Sequence, residues 1–392
     1  MRVISTEKKP IKLWLDDIED GALEQAKNLA NLPFVHRHIA LMPDSHQGKG
    51  MPIGGVIATT GVVIPNAVGV DIGCGMCACR TNLKKLTKND TKLIMGKIRK
   101  RVPVGFDHHE QDMSWKGFHD APDVPIVQQQ LKSARKQLGT LGGGNHFIEI
   151  QKGDDGYVWV MIHSGSRNFG YQIARTYNNI AQKLCERWHS NIPKFKGDDG
   201  LAFLPIEIKE AKEYMEAMNF ALDFAKANRF RMLEFIKESF IDVVRCTFGG
   251  TINIHHNYAT WEHHFGRNVI VHRKGATSAK KGQSGIIPGS QGAKSYIVKG
   301  LGNPDSFNSC SHGAGRVLSR TQAKKQLNLN EEIAKLDALG VVHSIRNIDD
   351  LDEASGAYKD ISVVMKNQAD LVDIDVELRP LGVIKDNSKR RR

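Results

Sequence analysis

The stretch from Pro205 to Arg245 carries the longest helical signal in the chain. Tyr214, Met218, Ala221 and Ala225 recur at helical spacing, as do Phe224, Leu233, Ile236 and Phe240, so a long apolar stripe has to be covered by other elements. About forty residues is long for one globular helix, and a break is expected inside it. Around this segment the pattern turns to strands. Ile53 to Ile64 is β-branched and glycine-punctuated and reads as one or two buried strands. Tyr157 to His163 reads as a strand that delivers a His at its end, and Leu371 to Lys385 as a final strand. Leu86 to Val102 reads as a basic amphipathic helix, with further helices over Tyr171 to Trp188 and Tyr358 to Asp370. Helices, strands and long loops interleave irregularly. That predicts an α+β fold rather than a regular βαβ series or a barrel.

No Pro-, Ser- or Gln-rich tract separates two compositions, and no fixed-period repeat is visible. One large domain over residues 1–385 is therefore expected, followed by a basic, disordered tail over 386–392. The 392 residues suffice for a large core. No apolar run approaches the roughly 20 residues of a membrane span, and the first residues lack a secretion core. A cytoplasmic protein without a membrane partner is the expectation. Six Cys are too sparse for a secreted disulfide scaffold. The formal charge of +12 favours a polyanionic partner such as nucleic acid.

Sixteen His residues is a high count for this length. His36, His38, His108, His109, His119, His189, His272 and His343 read as ordinary surface or core residues. The others stand in different company. In Val70-Asp71-Ile72-Gly73-Cys74-Gly75, a carboxylate and a thiolate flank a tight turn and can reach one divalent cation. A zinc knuckle of Cys74, Cys77 and Cys79 would need another close Cys or His pair, and none follows. Gly139 to Glu149 runs from a glycine-rich turn into Asn145-His146 and an apolar strand; it matches neither phosphate-loop nor dinucleotide patterns. His163 ends a strand ahead of Ser164-Gly165-Ser166-Arg167. His255 and His256 are adjacent on a strand and point to opposite faces, so at most one is a ligand. His312 is flanked by small residues, and imidazole can act as a nucleophile towards phosphorus. Ahead of it, Ile287 to Ser295 is a small-residue loop rich in backbone donors. One carboxylate, one thiolate and three imidazoles favour Mn, Zn, Fe or Co over Mg or Ca. Five ligands exceed one tetrahedral site, which suggests two metals bridged by Cys74. Paired metals suit phosphoryl chemistry.

Pro43-Asp44-Ser45-His46-Gln47-Gly48-Lys49-Gly50, Gly69 to Met76, Leu141 to Glu149, His163 to Arg167 and Ser311 to Arg316 together resemble the RtcB family of RNA ligases. The resemblance runs from about Ile11 to Lys385. It implies one large α+β domain with central sheets around a dinuclear site. It implies one Mn²⁺ on Asp71, Cys74 and His146, a second on Cys74, His163 and His256, and His312 as the residue that takes GMP from GTP. His256 is preferred to His255 because Asn257 follows it. Asn145, His146, Phe147, Ile148, Glu149, His256, Asn257, Pro288, Gly289, Ser290, Gln291, Ser295, His312, Gly313, Ala314, Gly315 and Lys385 would line the guanylate pocket, with Glu149 accepting from the guanine edge.

The implied reaction joins RNA 3′-phosphate or 2′,3′-cyclic-phosphate ends to 5′-hydroxyl ends, in tRNA splicing or RNA repair. An archease-like activator and a monomeric state are further expectations. Lys49, Arg167, Arg273, Lys274 and Arg316 are candidates for RNA phosphates, with Arg273 or Arg316 alternatively on the triphosphate. A metal-dependent cyclic-phosphate phosphoesterase that does not seal is the competing enzyme, and a non-catalytic RNA-binding protein the third reading. Cys77 and Cys79 have no assigned role. The residues after Lys385 depart from the family pattern.

Overall fold

The computed structural model describes residues 1–193, 196–197 and 200–386. Of the tail expected over 386–392, Asp386 is described and lines a cleft beside Lys385; residues 387–392 lie outside the described residues. Two sheets organise the rest into one α+β domain. The larger has seven strands in the order Phe248–His255, Gly75–Thr81, Val158–Ser164, Phe147–Gly153, Val372–Ile384, Ser295–Gly300 and Ser284–Ile287, each antiparallel to its neighbours. The six-stranded sheet runs Arg2–Ile4, Ile11–Leu13, Val35–His46, Ile53–Thr59, Arg267–Lys274 and Asn257–His264. The strands Phe248–His255 and Asn257–His264 are separated by His256 alone, so the chain passes from one sheet to the other at that residue.

The central helix is Lys209–Ile241, 33 residues without a break, about 50 Å long. The expected interruption is absent because this span contains no Gly or Pro. Ala221 and Phe224 pack with the helices Arg167–Arg187 and Pro125–Gln137, while Met232, Leu233, Ile236 and Phe240 pack on the seven-stranded sheet and the helix Lys88–Arg101. Its stripe is thus covered on two sides along its length. Thr87 and Asp90 cap Lys88–Arg101 reciprocally.

Other boundaries shift for local reasons. The helix expected from Tyr358 is only Ile361–Asn367, because the Asp360 side chain accepts from the Ser362 N–H and starts the helix there. The Ile53 segment is two strands, Ile53–Thr59 and Val62–Val63; Gly61, at φ +70°, makes the turn between them. Cys77 and Cys79 face the Ile94–Ile98–Phe240 side of the large sheet as core residues, and burial pushes the Cys77 thiol up to about 12. No helix among the described residues is long and apolar enough to cross a membrane.

Candidate metal centre and nucleophile

Four neighbouring strands of the large sheet reach the same end of the sheet. Gly75–Thr81 begins there just after Cys74, and Phe147–Gly153 begins there just after His146. Val158–Ser164 ends there with His163, and Phe248–His255 ends there just before His256. Register places Gly75 opposite both Ser164 and His255, and Phe147 opposite His163. Neighbouring strands lie about 4.8 Å apart, so donors from adjacent strand ends come within reach of shared cations. Asp71 joins from the preceding turn, closed by the Cys74 N–H on the Asp71 carbonyl at 3.1 Å. Gly73 in that turn has φ +75°, and a Cβ there would meet Ala225 Cβ at 2.9 Å. The turn can therefore press against the central helix only with glycine.

The donor atoms converge as two triplets sharing Cys74: Asp71, Cys74 and His146, and Cys74, His163 and His256, each with its atoms within 4.8 Å of one another. Cys74 Sγ is 3.3 Å from His163 Nε2 and 3.5 Å from His146 Nε2. His146 Nε2 is 3.1 Å from Asp71 Oδ2, and the Nε2 atoms of His163 and His256 are 3.3 Å apart. The Nδ1 atoms of His146 and His163 donate to the carbonyls of Leu141 and Asn145 at 3.0 and 3.1 Å. Those bonds fix the tautomers that turn Nε2 lone pairs into the cluster. Two imidazole lone pairs facing each other at this distance repel unless a cation lies between them.

Burial, with the neighbouring His charges, holds His163 and His256 well below the ordinary imidazole range, hence neutral. Burial raises the Cys74 thiol well above its usual range, and the Asp71 charge adds to this. Burial alone would raise the Asp71 carboxyl, but His146 outweighs it and holds it low. A thiol in such surroundings becomes a thiolate only beside compensating positive charge. The donor set therefore fits divalent transition metals.

His255 turns away from the cluster, and Arg229 Nη2 donates to its Nδ1 at 3.1 Å. Arg229 is fully buried on the central helix. It also donates through Nη1 to the carbonyls of Gly73 and Ser164 at 2.9 Å each, and through Nε to Asn253 at 2.8 Å. One guanidinium thus ties down the neighbours of Cys74, His163 and His256. Asn228, beside it, accepts from the N–H groups of Gly139 and Thr140 and donates to the carbonyls of Thr140 and Gly165, steadying the His146 turn. Neither residue was marked in the sequence, where they are a polar pair inside an apolar helical pattern.

His312 leaves the strand Ser309–Ser311, which pairs with Ala276–Ser278. Its ring lies 4.7 Å from that of His256, centroid to centroid. The fully buried Asp44 accepts from His312 Nδ1 at 2.6 Å and from the His312 N–H at 3.1 Å. Nε2 is left with its lone pair, aimed beside the donor cluster. Sequence reading quoted Asp44 within a motif and gave it no role. Its signal is the carboxylate between Pro43 and Ser45, which becomes informative only once His312 is placed beside it.

Several expected guanylate residues also converge. Gln151 donates to Glu149 at 2.6 Å and to Ser295 Oγ at 3.1 Å, and the Gly289 N–H donates to Ser295 Oγ at 3.1 Å. A Cβ on Gly313 would lie 3.4 Å from the Pro288 carbonyl. Ile148 packs into the core, and the Asn257 amide is spent on the Asp71 carbonyl and the Gly275 N–H at 3.0 and 2.8 Å. Lys385 lies 3.6 Å from Glu353, a residue the sequence reading missed. Arg316 and Arg320 meet the same carboxylate at 3.2 and 2.9 Å. Burial alone would raise Glu353, but Lys385, Arg316 and Arg320 bring it down to about 2.

Two expected phosphate contacts are corrected. Arg273 is fully buried, bonded to Glu262 at 2.5 Å and to Ser309 at 2.8 Å, and Lys274 is turned onto the carbonyls of Lys49 and Asn66. Both hold the fold and reach neither RNA nor triphosphate. Arg316 is committed to Glu353. Arg167 faces a cleft of about 960 Å³ that also exposes Asp71, His146, Gln291 and Lys385.

The family model described as tRNA-splicing ligase RtcB matches residues 25–124 and 108–386. The chain belongs to the RtcB family. It is 40% identical to the RNA-splicing ligase RtcB of Escherichia coli K12 over 98% of this chain and 99% of the relative. The tRNA-splicing ligase RtcB of Nanoarchaeum equitans is 34% identical over 96% of this chain and 95% of its own. That of Thermococcus kodakarensis is 32% identical over 94% and 91%. The RtcB match spans residues 25–386, and the donor cluster draws on both matched segments: Asp71 and Cys74 lie in the first, and His146, His163 and His256 in the second.

Proposed function

We propose that the protein is a GTP-dependent RNA ligase that joins 3′-phosphate or 2′,3′-cyclic-phosphate ends to 5′-hydroxyl ends in tRNA splicing or RNA repair. The observation that carries this reading is an Asp44-oriented imidazole, His312, set against a buried donor cluster for two cations. Asp71, Cys74 and His146 would hold one Mn²⁺, and Cys74, His163 and His256 the other. Bound there, the ions would neutralise phosphate charge and orient the reacting groups.

Asp44 holds the Nδ1 proton of His312, so Nε2 attacks the α-phosphorus of GTP and pyrophosphate leaves. The guanylyl group then passes from Nε2 to the RNA 3′-phosphate. The 5′-hydroxyl of the other strand attacks that activated end, GMP departs, and a 3′,5′-phosphodiester remains. Where the end is cyclic, it is opened to the 3′-phosphate first. Asn145 to Glu149, Pro288 to Gln291, Ser295, Gly313 to Gly315 and Lys385 would enclose the guanylate. A phosphoesterase without sealing activity would have no use for the Asp44–His312 pair. The protein acts as a cytoplasmic monomer over the domain 1–385, with an archease-like activator as a candidate partner.

Incubation with α-labelled GTP and Mn²⁺ is expected to give an acid-labile label that maps to His312 and chases into sealed RNA. Absence of label in protein that binds Mn²⁺ would defeat the ligase reading.

Glu149 supplies a pH test. Burial pushes its carboxyl up to about 8, against the Lys385 charge and the Gln151 hydrogen bond. The guanine edge offers N–H donors, which need the carboxylate form. A raised carboxyl is protonated below its pKa and ionised above it. GTP affinity should therefore climb as pH rises through about 8 and then level off. Nucleotide titrations across that range, with Glu149→Gln showing a flat profile, check this. A slope retained in the variant would place the proton elsewhere.

A further inference from the structure

Phe106 is the most exposed large apolar side chain among the described residues, at 84%. Its backbone is nevertheless held on both sides. The Gly105 N–H donates to the Gly142 carbonyl at 2.9 Å, and Arg167 Nη2 donates to the Gly105 carbonyl at 2.8 Å. The Asp107 N–H donates to the Val104 carbonyl at 3.1 Å, and the His109 N–H to the Lys136 carbonyl at 3.0 Å. A fixed loop that displays a phenyl ring in water is an arrangement that function, rather than folding, explains.

The ring does not stand alone. Tyr171, 44% exposed, lies four residues after Arg167 on the helix Arg167–Arg187, hence on the same face. Phe106, His108, Arg167 and Tyr171 line the same cleft as Asp71 and His146. Two acids of the cleft wall, Asp349 and Asp350, are occupied. Asp349 pairs with Lys324 at 3.0 Å, and Asp350 accepts from the N–H groups of Arg346 and Asn347. What Phe106, Tyr171 and Arg167 offer a ligand is planar aromatic surface and a guanidinium bonded next to Phe106.

We propose that Phe106, with Tyr171, is a stacking platform for an unpaired nucleobase next to the RNA ends being joined, so that the protein favours ends whose last nucleotide is single-stranded. This rests on the ligase reading above and adds a preference to it. Aromatic rings stack on any base, whereas an aliphatic patch would suit a protein partner better. Continuity with the donor cluster, whose Asp71 and His146 line the same cleft, favours a flexible strand over a folded protein surface. Arg167 supplies the charge for a backbone phosphate beside the stacked base.

The test uses the Mn²⁺-loaded full chain and nicked RNAs carrying 2-aminopurine at the last nucleotide of either strand, in separate substrates. Stacking quenches this fluorophore. Wild type is expected to quench it in at least one substrate. Phe106→Ala should abolish the quench and raise KM for RNA about tenfold, with kcat changed less than twofold. Phe106→Trp should restore both. Because the ring is exposed, folding is not at stake, and labelling of His312 by GTP, which needs no RNA, should proceed equally in all three proteins. Wild type that seals RNA while Phe106→Ala matches it in KM and quench would overturn the platform alone. That outcome would leave the ring to a protein partner. Wild type that neither labels nor seals would overturn the ligase reading and the platform with it.

Discussion

Asp44→Asn is expected to slow guanylylation of His312 by about 10³- to 10⁴-fold while leaving fold and cation binding intact. The scale is that of misorienting a catalytic imidazole by losing its carboxylate partner. Asp44 Oδ2 now accepts both from the ring Nδ1 and from the His312 N–H. An amide in its place can present its NH₂ group to Nδ1, which moves the ring proton to Nε2 and removes the attacking lone pair. Asp44 is no part of the donor cluster, so titration with Mn²⁺ should give wild-type stoichiometry and affinity. Stopped-time labelling with α-labelled GTP measures the rate. A loss of less than tenfold would show that the ring keeps its tautomer without Asp44.

The second large effect is expected at Arg229. Arg229→Met should lower unfolding free energy by about 3–5 kcal/mol, because the Ser164 carbonyl and the Asn253 oxygen would lose this donor, and the Gly73 carbonyl and His255 Nδ1, 3.2 Å apart, would be left only with each other. It should also weaken one of two cation sites, the Cys74–His163–His256 triplet, by about 10- to 100-fold, as loss of a ligand-orienting partner does. Arg229→Lys keeps the charge but cannot span four acceptors, and should fall between. Denaturant melts give the stability. Titration with Co²⁺, followed by thiolate charge-transfer absorption, reports both ions because Cys74 belongs to both triplets; one of the two binding steps should weaken while the other keeps its wild-type affinity. Two unchanged sites in a folded Arg229→Lys protein would show that the ligand turns hold themselves.

Asp71, Cys74, His146 and His163 were legible in the sequence because each stands in or beside a short glycine-rich turn next to an apolar strand, whereas His256 was separated from His255 only by the family resemblance; the fold collects these strand ends along one side of a sheet. Their partners were not legible. Asp44 and His312 are far apart in the chain, and nothing local to either marks the pair. Arg229 lies inside an apolar helical pattern, where a single cation reads as surface. Arg273 was misread the opposite way. Its position beside a motif loop suggested phosphate, but its acceptor is Glu262, and the hairpin that brings Tyr258 opposite Arg273 closes that pair inside the protein. The central helix stayed whole because a break needs a residue that resists helix, and length alone does not supply one.

His256 bears one more implication. Its N–H reaches the Cys74 carbonyl at 2.8 Å and its own carbonyl accepts from Ala276 at 3.2 Å. The seam between the two sheets is therefore stitched by main chain, while the imidazole is spare for chemistry. Architecture and reactivity are separable at this position: a new side chain can retune the centre without unpicking the join.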